Sequence, residues 1–134
     1  MKELGLNIRP SAVVSGLSIA EMQLVEIARA VSYDSDIIIM DEPTSALTDE
    51  EVDKLYDIIS SLRKQGKAVI YISHKFDEVF HICDRATIFR DGEYIDEKMI
   101  NEVTEEMLVS KMVGRKMMGG QSSSIPLKVN TAGV

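Results

Sequence analysis

Residues 37–48 read Ile37-Ile38-Ile39-Met40-Asp41-Glu42-Pro43-Thr44-Ser45-Ala46-Leu47-Thr48. Three β-branched residues and a methionine, followed at once by two carboxylates and a proline, describe a fully buried strand that stops at a charged lip. Successive side chains of an extended chain point to opposite sides, so Asp41 can hold a metal ion while Glu42 faces a different atom. Pro43 pushes the residue before it out of the helical region. The chain must therefore turn at Glu42 rather than roll into a helix.

Downstream of this lip, Thr48 or Asp49 caps a helix from about Glu50 to Gln65, with Val52, Leu55, Ile59 and Leu62 along one face and Gly66 as its stop. Ala68 to Ile72 is a second apolar strand. A strand, a helix and a strand of these lengths require a right-handed parallel crossover. The second strand ends at Ser73 and His74. Because ligands of parallel sheets bind outside the carboxyl ends of the strands, His74 is expected beside Asp41 and Glu42 on one sheet edge.

Upstream, Ser18 with Glu21 three residues later forms a capping box, and Met22, Val25, Ile27, Ala28 and Val31 give an apolar side to a helix ending near Tyr33. Residues 1–16 form a lead-in segment. Beyond His74, Phe76 to Cys83 is a helix with Phe76, Val79, Phe80 and Cys83 on its apolar face, which leaves His81 without a chemical role. Ala86 to Phe89 is a third strand, and Asp91-Gly92 turns it into a hairpin with Glu93 to Asp96. Thr104 caps a last helix that carries Met107, Leu108 and Met112 and ends at Gly114. Residues 118–134, with Gly119-Gly120-Gln121-Ser122-Ser123-Ser124 and a late proline, have the composition of a flexible tail or linker.

A chain of 134 residues, 45% hydrophobic and 28% charged, suffices for one globular unit. Its longest apolar run, Ala68 to Ile72, falls far short of the roughly 20 residues of a membrane span. The single Cys83 excludes an internal disulfide framework and fits a cytoplasmic compartment. A formal charge of −7 argues against nucleic acid as a partner, because phosphate-backbone affinity rests on clustered Lys and Arg. Nucleotide binding escapes that objection, since one divalent cation and a few backbone donors suffice locally.

The run from Ile37 to Thr48 resembles the Walker B segment and D-loop of ATP-binding cassette (ABC) ATPases. The run from Leu17 to Ala30 resembles, by spacing, their signature motif and its helix. The resemblance implies an α/β fold of the partial P-loop NTPase type: a mostly parallel sheet with flanking helices and a C-terminal β-hairpin. It covers residues 17–117, the C-terminal half of one nucleotide-binding domain. By resemblance Asp41 holds Mg²⁺ through water, Glu42 polarises the attacking water and His74 contacts the γ-phosphate as the switch histidine. Ser18, Ile19, Ala20 and Glu21 stand at the signature positions that grip the ATP of a facing cassette, and Ser45, Ala46, Leu47 and Thr48 form the D-loop. Ile19 and Ala20 replace two glycines of that signature and Glu21 a glutamine, which hinders backbone approach and adds a negative charge. Ser18 still suits a helix N-cap with or without a phosphate.

Val25-Glu26-Ile27-Ala28, Thr48 in place of aspartate, Phe89 to Ile95 and Met112-Val113-Gly114-Arg115 are similar to the first cassette of monosaccharide importers. The implied partners are a second cassette, the membrane permease subunits and a sugar-binding protein, at the inner face of the cell membrane. No Gly-x-x-x-x-Gly-Lys-[Ser/Thr] occurs in the sequence. ATP and Mg²⁺ binding is therefore expected only together with the missing Walker A half, and this chain alone is not expected to hydrolyse ATP. In the family the strand preceding the phosphate loop lies between the counterparts of Ala68 to Ile72 and Ala86 to Phe89. Its absence predicts a gap in the sheet, and open strand edges predict self-association. The alternative is a non-catalytic truncated cassette that pairs with and regulates other ABC ATPases.

Overall fold

The computed structural model describes residues 5–114 and the backbone of 128–132. A 3₁₀ turn at Val14–Gly16 leads into α1 (Ile19–Ser32), followed by β1 (Ile37–Asp41), α2 (Asp49–Lys64) and β2 (Ala68–Ser73). Then come α3 (Phe76–Ile82), β3 (Arg85–Arg90), β4 (Glu93–Met99), a 3₁₀ turn at Ile100–Glu102, α4 (Glu105–Val113) and β5 (Lys128–Ala132). The expected helices and strands are all present, with ends displaced by at most a few residues. Glu93 to Asp96 proves longer, running to Met99 because a bulge between Ile88 and Phe89 lets the pairing continue.

Local chemistry sets the boundaries. Ser18 accepts from the Glu21 N–H while the Glu21 carboxylate accepts from the Ser18 N–H, closing the capping box of α1. Thr48 gives its N–H and its hydroxyl to Glu51 at the start of α2. The Asp91-Gly92 hairpin has both residues at positive φ, 52° and 81°, the geometry that a two-residue turn between twisted strands demands.

The sheet has the order β1-β2-β5-β3-β4. β1 and β2 pair in parallel, as the crossover requires, while β2–β5, β5–β3 and β3–β4 are antiparallel. β1, β2 and β3 consequently all run one way, yet only one of the four pairings is parallel. The slot predicted to be empty holds β5, and residues 128–132 are a strand rather than part of a flexible tail. Composition reports local propensity and cannot report an open edge. β2 and β3 present facing rows of unpaired N–H and C=O groups, and a segment that reaches both satisfies them whatever its own propensity. The remainder of the 118–134 segment lies outside the described residues.

One face of the sheet carries the core. Ile38, Met40, Val69 and Tyr71 pack with Leu55, Ile58, Ile59 and Leu62 of α2 and with Ile27 of α1. Val79, Ala86, Ile88, Leu108 and Met112 form a second cluster beneath α3 and α4. The opposite face is open at β1: Ile37 is 60% and Ile39 65% exposed. The reading of 37–40 as buried on both sides is thus corrected to strict alternation, with the apolar side chains of the outer face left uncovered among the described residues.

Candidate functional site

β1 and β2 end side by side, with Asp41 paired to Ile72. One residue further, the Glu42 N–H donates to the Ile72 carbonyl at 2.8 Å, and the backbone of Glu42 then turns into the left-handed region at φ 48°. Such a conformation costs a non-glycine residue roughly 1–2 kcal/mol and persists only where the surroundings enforce it. Pro43 favours extended backbone at the residue before it and does not account for the positive φ. Gln23 on α1 holds the turn, donating its amide to the Pro43 carbonyl at 2.6 Å and to the Glu42 carbonyl at 3.3 Å. The turn aims the Glu42 side chain across the tip of β2.

There it meets His74, whose Nδ1 lies 2.8 Å from Glu42 Oε1. The histidine side chain is 60% exposed and that of Glu42 33%, so the pair sits at a rim open to solvent. With Nδ1 committed to Glu42, Nε2 is the ring nitrogen left to face a ligand, and Oε2 the carboxylate oxygen left to act on water. Asp41, exposed at the end of β1, lies on the same edge. A single open carboxylate suits Mg²⁺, which takes one or two carboxylates and completes its shell with water and phosphate oxygens. Among the described residues no group of three or more His, Cys, Asp or Glu side chains is arranged to hold a metal by itself.

The remaining predicted residues occupy other places. The side chains of Ser18 and Glu21 are spent on each other's backbone N–H at the start of α1, while Ile19 is 72% exposed and Ala20 half-buried. Ser45 is exposed, Leu47 packs against the first core cluster with Ala46 half-buried beside it, and Thr48 caps α2. A groove of 420 Å³ between α1 and β1 is lined by Gln23, Arg29, Tyr33, Ile39, Asp41 and Pro43; of the residues expected to carry the chemistry it touches only Asp41, and it follows the open flank of β1. His81 stacks on Tyr56 with ring centroids 4.9 Å apart, in keeping with a structural role.

Two contributors have no local sequence signal. Gln23 reads as an ordinary helix residue, and Glu78 as an ordinary acid in the first turn of α3. Glu78 is 5% exposed and accepts from Thr44 Oγ1 at 2.6 Å, from the Tyr71 hydroxyl at 2.8 Å and from Ser73 Oγ at 3.3 Å. Burial, together with the Glu78 carboxylate, pushes the Tyr71 phenol far above its usual range, because ionisation would set two negative charges side by side. Tyr56 is pushed up to about 12, first by burial and then by the charge of Glu78.

The family model for ABC transporters matches residues 1–45. The galactose/methyl galactoside import ATP-binding protein of Photobacterium profundum is 53% identical over 117 residues, 87% of this chain and 24% of that protein. The protein of the same name from Clostridium tetani is 50% identical over 131 residues, 98% of this chain and 25% of that protein. Over most of its length the chain is similar to part of ABC transporter ATP-binding proteins. It spans about a quarter of the length of these relatives. Among solved structures, a bacterial ABC transporter cassette in dimeric form superposes with a TM-score of 0.66 at 28% identity, over 74% of this chain and 43% of that one. An inward-facing metal-chelate type ABC transporter superposes with a TM-score of 0.73 at 20% identity, over 96% and 52%, a likeness of fold. The fold is that of part of an ABC cassette. Among the described residues no helix is long and apolar enough to cross a membrane.

Proposed function

We propose that this chain supplies the back half of an ATP-hydrolysing cassette that drives monosaccharide import from the cytoplasmic face of a membrane. Glu42 acts as the general base on water, Asp41 takes the water shell of Mg²⁺, and His74 faces the γ-phosphate through Nε2. Phosphoryl transfer asks a protein chiefly for positioning and charge neutralisation, and this edge offers an acid pair and an imidazole at the tips of two neighbouring strands. Mg²⁺, when bound with ATP, supplies the positive charge that offsets the transferring phosphoryl group. The single observation that carries this function is the 2.8 Å contact between Glu42 and His74 at the carboxyl ends of two parallel strands. Partners that fit this reading are a second cassette, permease subunits and a sugar-binding protein; the relatives' names speak only of galactose and methyl galactoside import by an ATP-binding protein.

The test joins this chain to an upstream segment that carries a phosphate loop. Calorimetry with ATP and Mg²⁺ then gives binding for the extended protein and none for the 134 residues alone. Equal binding by both, or by neither, overturns the assignment.

One observation favours the regulatory alternative. The Glu21 carboxylate, 2.8 Å from the Ser18 N–H, occupies a donor at the start of α1 and places a negative charge where a facing γ-phosphate would rest. A cassette of this kind pairs with another and weakens its hold on nucleotide. Glu21→Gln separates the two functions: it raises the hydrolysis of the paired assembly if Glu21 restrains it and leaves the rate unchanged otherwise.

A further inference from the structure

We propose that Glu78 is a positioning residue, whose buried carboxylate ties the ends of β1 and β2 into the one register that brings Glu42 against His74. The proposal rests on Glu42 and His74 forming the working pair, but nothing in its test requires nucleotide.

A carboxylate is a costly way to fill a core. Taking it out of water is tolerated only where its oxygens are satisfied, and an apolar side chain of similar volume packs as well without that penalty. What Glu78 does that leucine cannot is accept several hydrogen bonds from separate segments. Oε1 takes Thr44 Oγ1 at 2.6 Å and lies 3.3 Å from Lys75 Nζ. Oε2 takes the hydroxyls of Tyr71 and Ser73 at 2.8 and 3.3 Å. Hydrogen bonds to an ionised acceptor are shorter and about twice as strong as neutral ones.

The donors are placed where they matter. Thr44 stands two residues after Glu42, on the far side of the left-handed turn. Ser73 stands directly before His74, and its Oγ also accepts from the Lys75 N–H at 3.0 Å, so the backbone is held on both flanks of the histidine. Ser73 faces inward and is fully buried, and by strand alternation this sends His74 outward toward Glu42. Lys75 Nζ lies 3.4 Å from Thr44 Oγ1 and closes the network. Glu42 and His74 share one direct contact at an exposed rim, and contacts of that kind contribute little by themselves. The buried network beneath fixes the geometry that the exposed contact merely reports.

The experiment uses the 134-residue chain, isotope-labelled, and compares Glu78→Gln, Glu78→Ala, Thr44→Val and Glu42→Gln by NMR. The ring nitrogen signals of His74 report the contact at Nδ1, those of His81 serve as an internal reference, and the amides of Thr44 and Ser73 report the tethers. Glu42→Gln is expected to change the His74 ring signals while the Thr44 and Ser73 amides stay in place. Glu78→Gln is expected to shift both amides and Thr44→Val that of Ser73, and each to abolish the Nδ1 signature, with His81 and the amides of β4 unmoved. Glu78→Gln keeps size and shape, so it decides the matter even where Glu78→Ala does not fold. A folded Glu78→Gln chain with unaltered His74 signals overturns the proposal. So does a change spread equally over His81 and β4, which marks general loosening. If Glu42→Gln leaves His74 untouched, the catalytic pair fails instead, and the Thr44 and Ser73 amides still show whether Glu78 tethers them.

Discussion

Glu42 Oε1 and His74 Nδ1 lie 2.8 Å apart, on the tips of strands separated in the chain by all of α2. Glu42→Gln preserves the shape of this contact and removes the charge that a general base needs. In a protein completed by a phosphate loop, the substitution is expected to retain ATP binding and to lower hydrolysis by about 10²- to 10⁴-fold, the usual worth of a positioned base. Steady-state phosphate release alongside calorimetric binding measures both. An unchanged hydrolysis rate removes Glu42 from the chemistry.

That edge was legible because its signals are local: an isoleucine run, an acid pair, a proline and a histidine after the next strand. The capping boxes at Ser18 and Thr48 and the Asp91-Gly92 hairpin were legible for the same reason, each being fixed by neighbours three residues apart or fewer. Gln23 and Glu78 were not. Their roles come from partners 20 and 34 residues away, Pro43 and Thr44, and no pattern within one helix announces them. The exposure of Ile37 and Ile39 was hidden for another reason. An apolar run states that a strand is built to be covered on both faces, and says nothing of whether the cover is supplied by the same residues.

Alkaline pH tests the environment of the two core tyrosines. Tyr56 is raised to about 12, by burial first, and Tyr71 is raised further, by burial and by its bond to Glu78. A folded-state pKa above the unfolded value near 10 means that the folded chain holds the proton more tightly. The associated stability is complete below pH 10 and is lost as pH rises from about 10 through 12 and beyond. Absorbance at 295 nm followed together with far-ultraviolet circular dichroism should show these phenols ionising as the chain unfolds. Tyr71→Phe removes the largest of these contributions and should flatten the decline. Ionisation of every tyrosine near pH 10 without unfolding would contradict the burial.

Gly114 ends α4 at φ 70°, and a Cβ built there falls 2.5 Å from Arg90 Nη1. The guanidinium can move aside, but it then gives up its 3.1 Å bond to the Lys111 carbonyl at the end of the same helix. Gly114→Ala therefore combines a left-handed backbone penalty with the loss of a C-terminal cap. A destabilisation of about 1–2 kcal/mol is expected, read as a lower urea midpoint at unchanged slope. Gly66→Ala shares the positive φ, at 79°, and meets no atom within 4 Å, so it isolates the backbone part of the penalty.

The most revealing truncation removes residues 128–134. β5 pairs with Ile70 to Ser73 of β2 on one side and with Thr87 to Phe89 of β3 on the other, so its loss opens two facing strand edges in the middle of the sheet. Each edge is a row of unpaired backbone groups above an apolar core, and such rows recruit strands from other molecules. The truncated chain is expected to form dimers and larger species on size-exclusion chromatography with light scattering, at concentrations where the 134-residue chain associates less. Hydrogen exchange should quicken at Tyr71, Ser73, Thr87 and Phe89, whose N–H groups face β5, more than in α2, whose contacts with β1 and β2 persist. Added in excess, a peptide spanning residues 126–134 should restore protection at those amides by re-entering the slot. If truncation changes neither association nor exchange, β5 does not close the sheet in solution, and the two edges must be satisfied by some other segment of the chain.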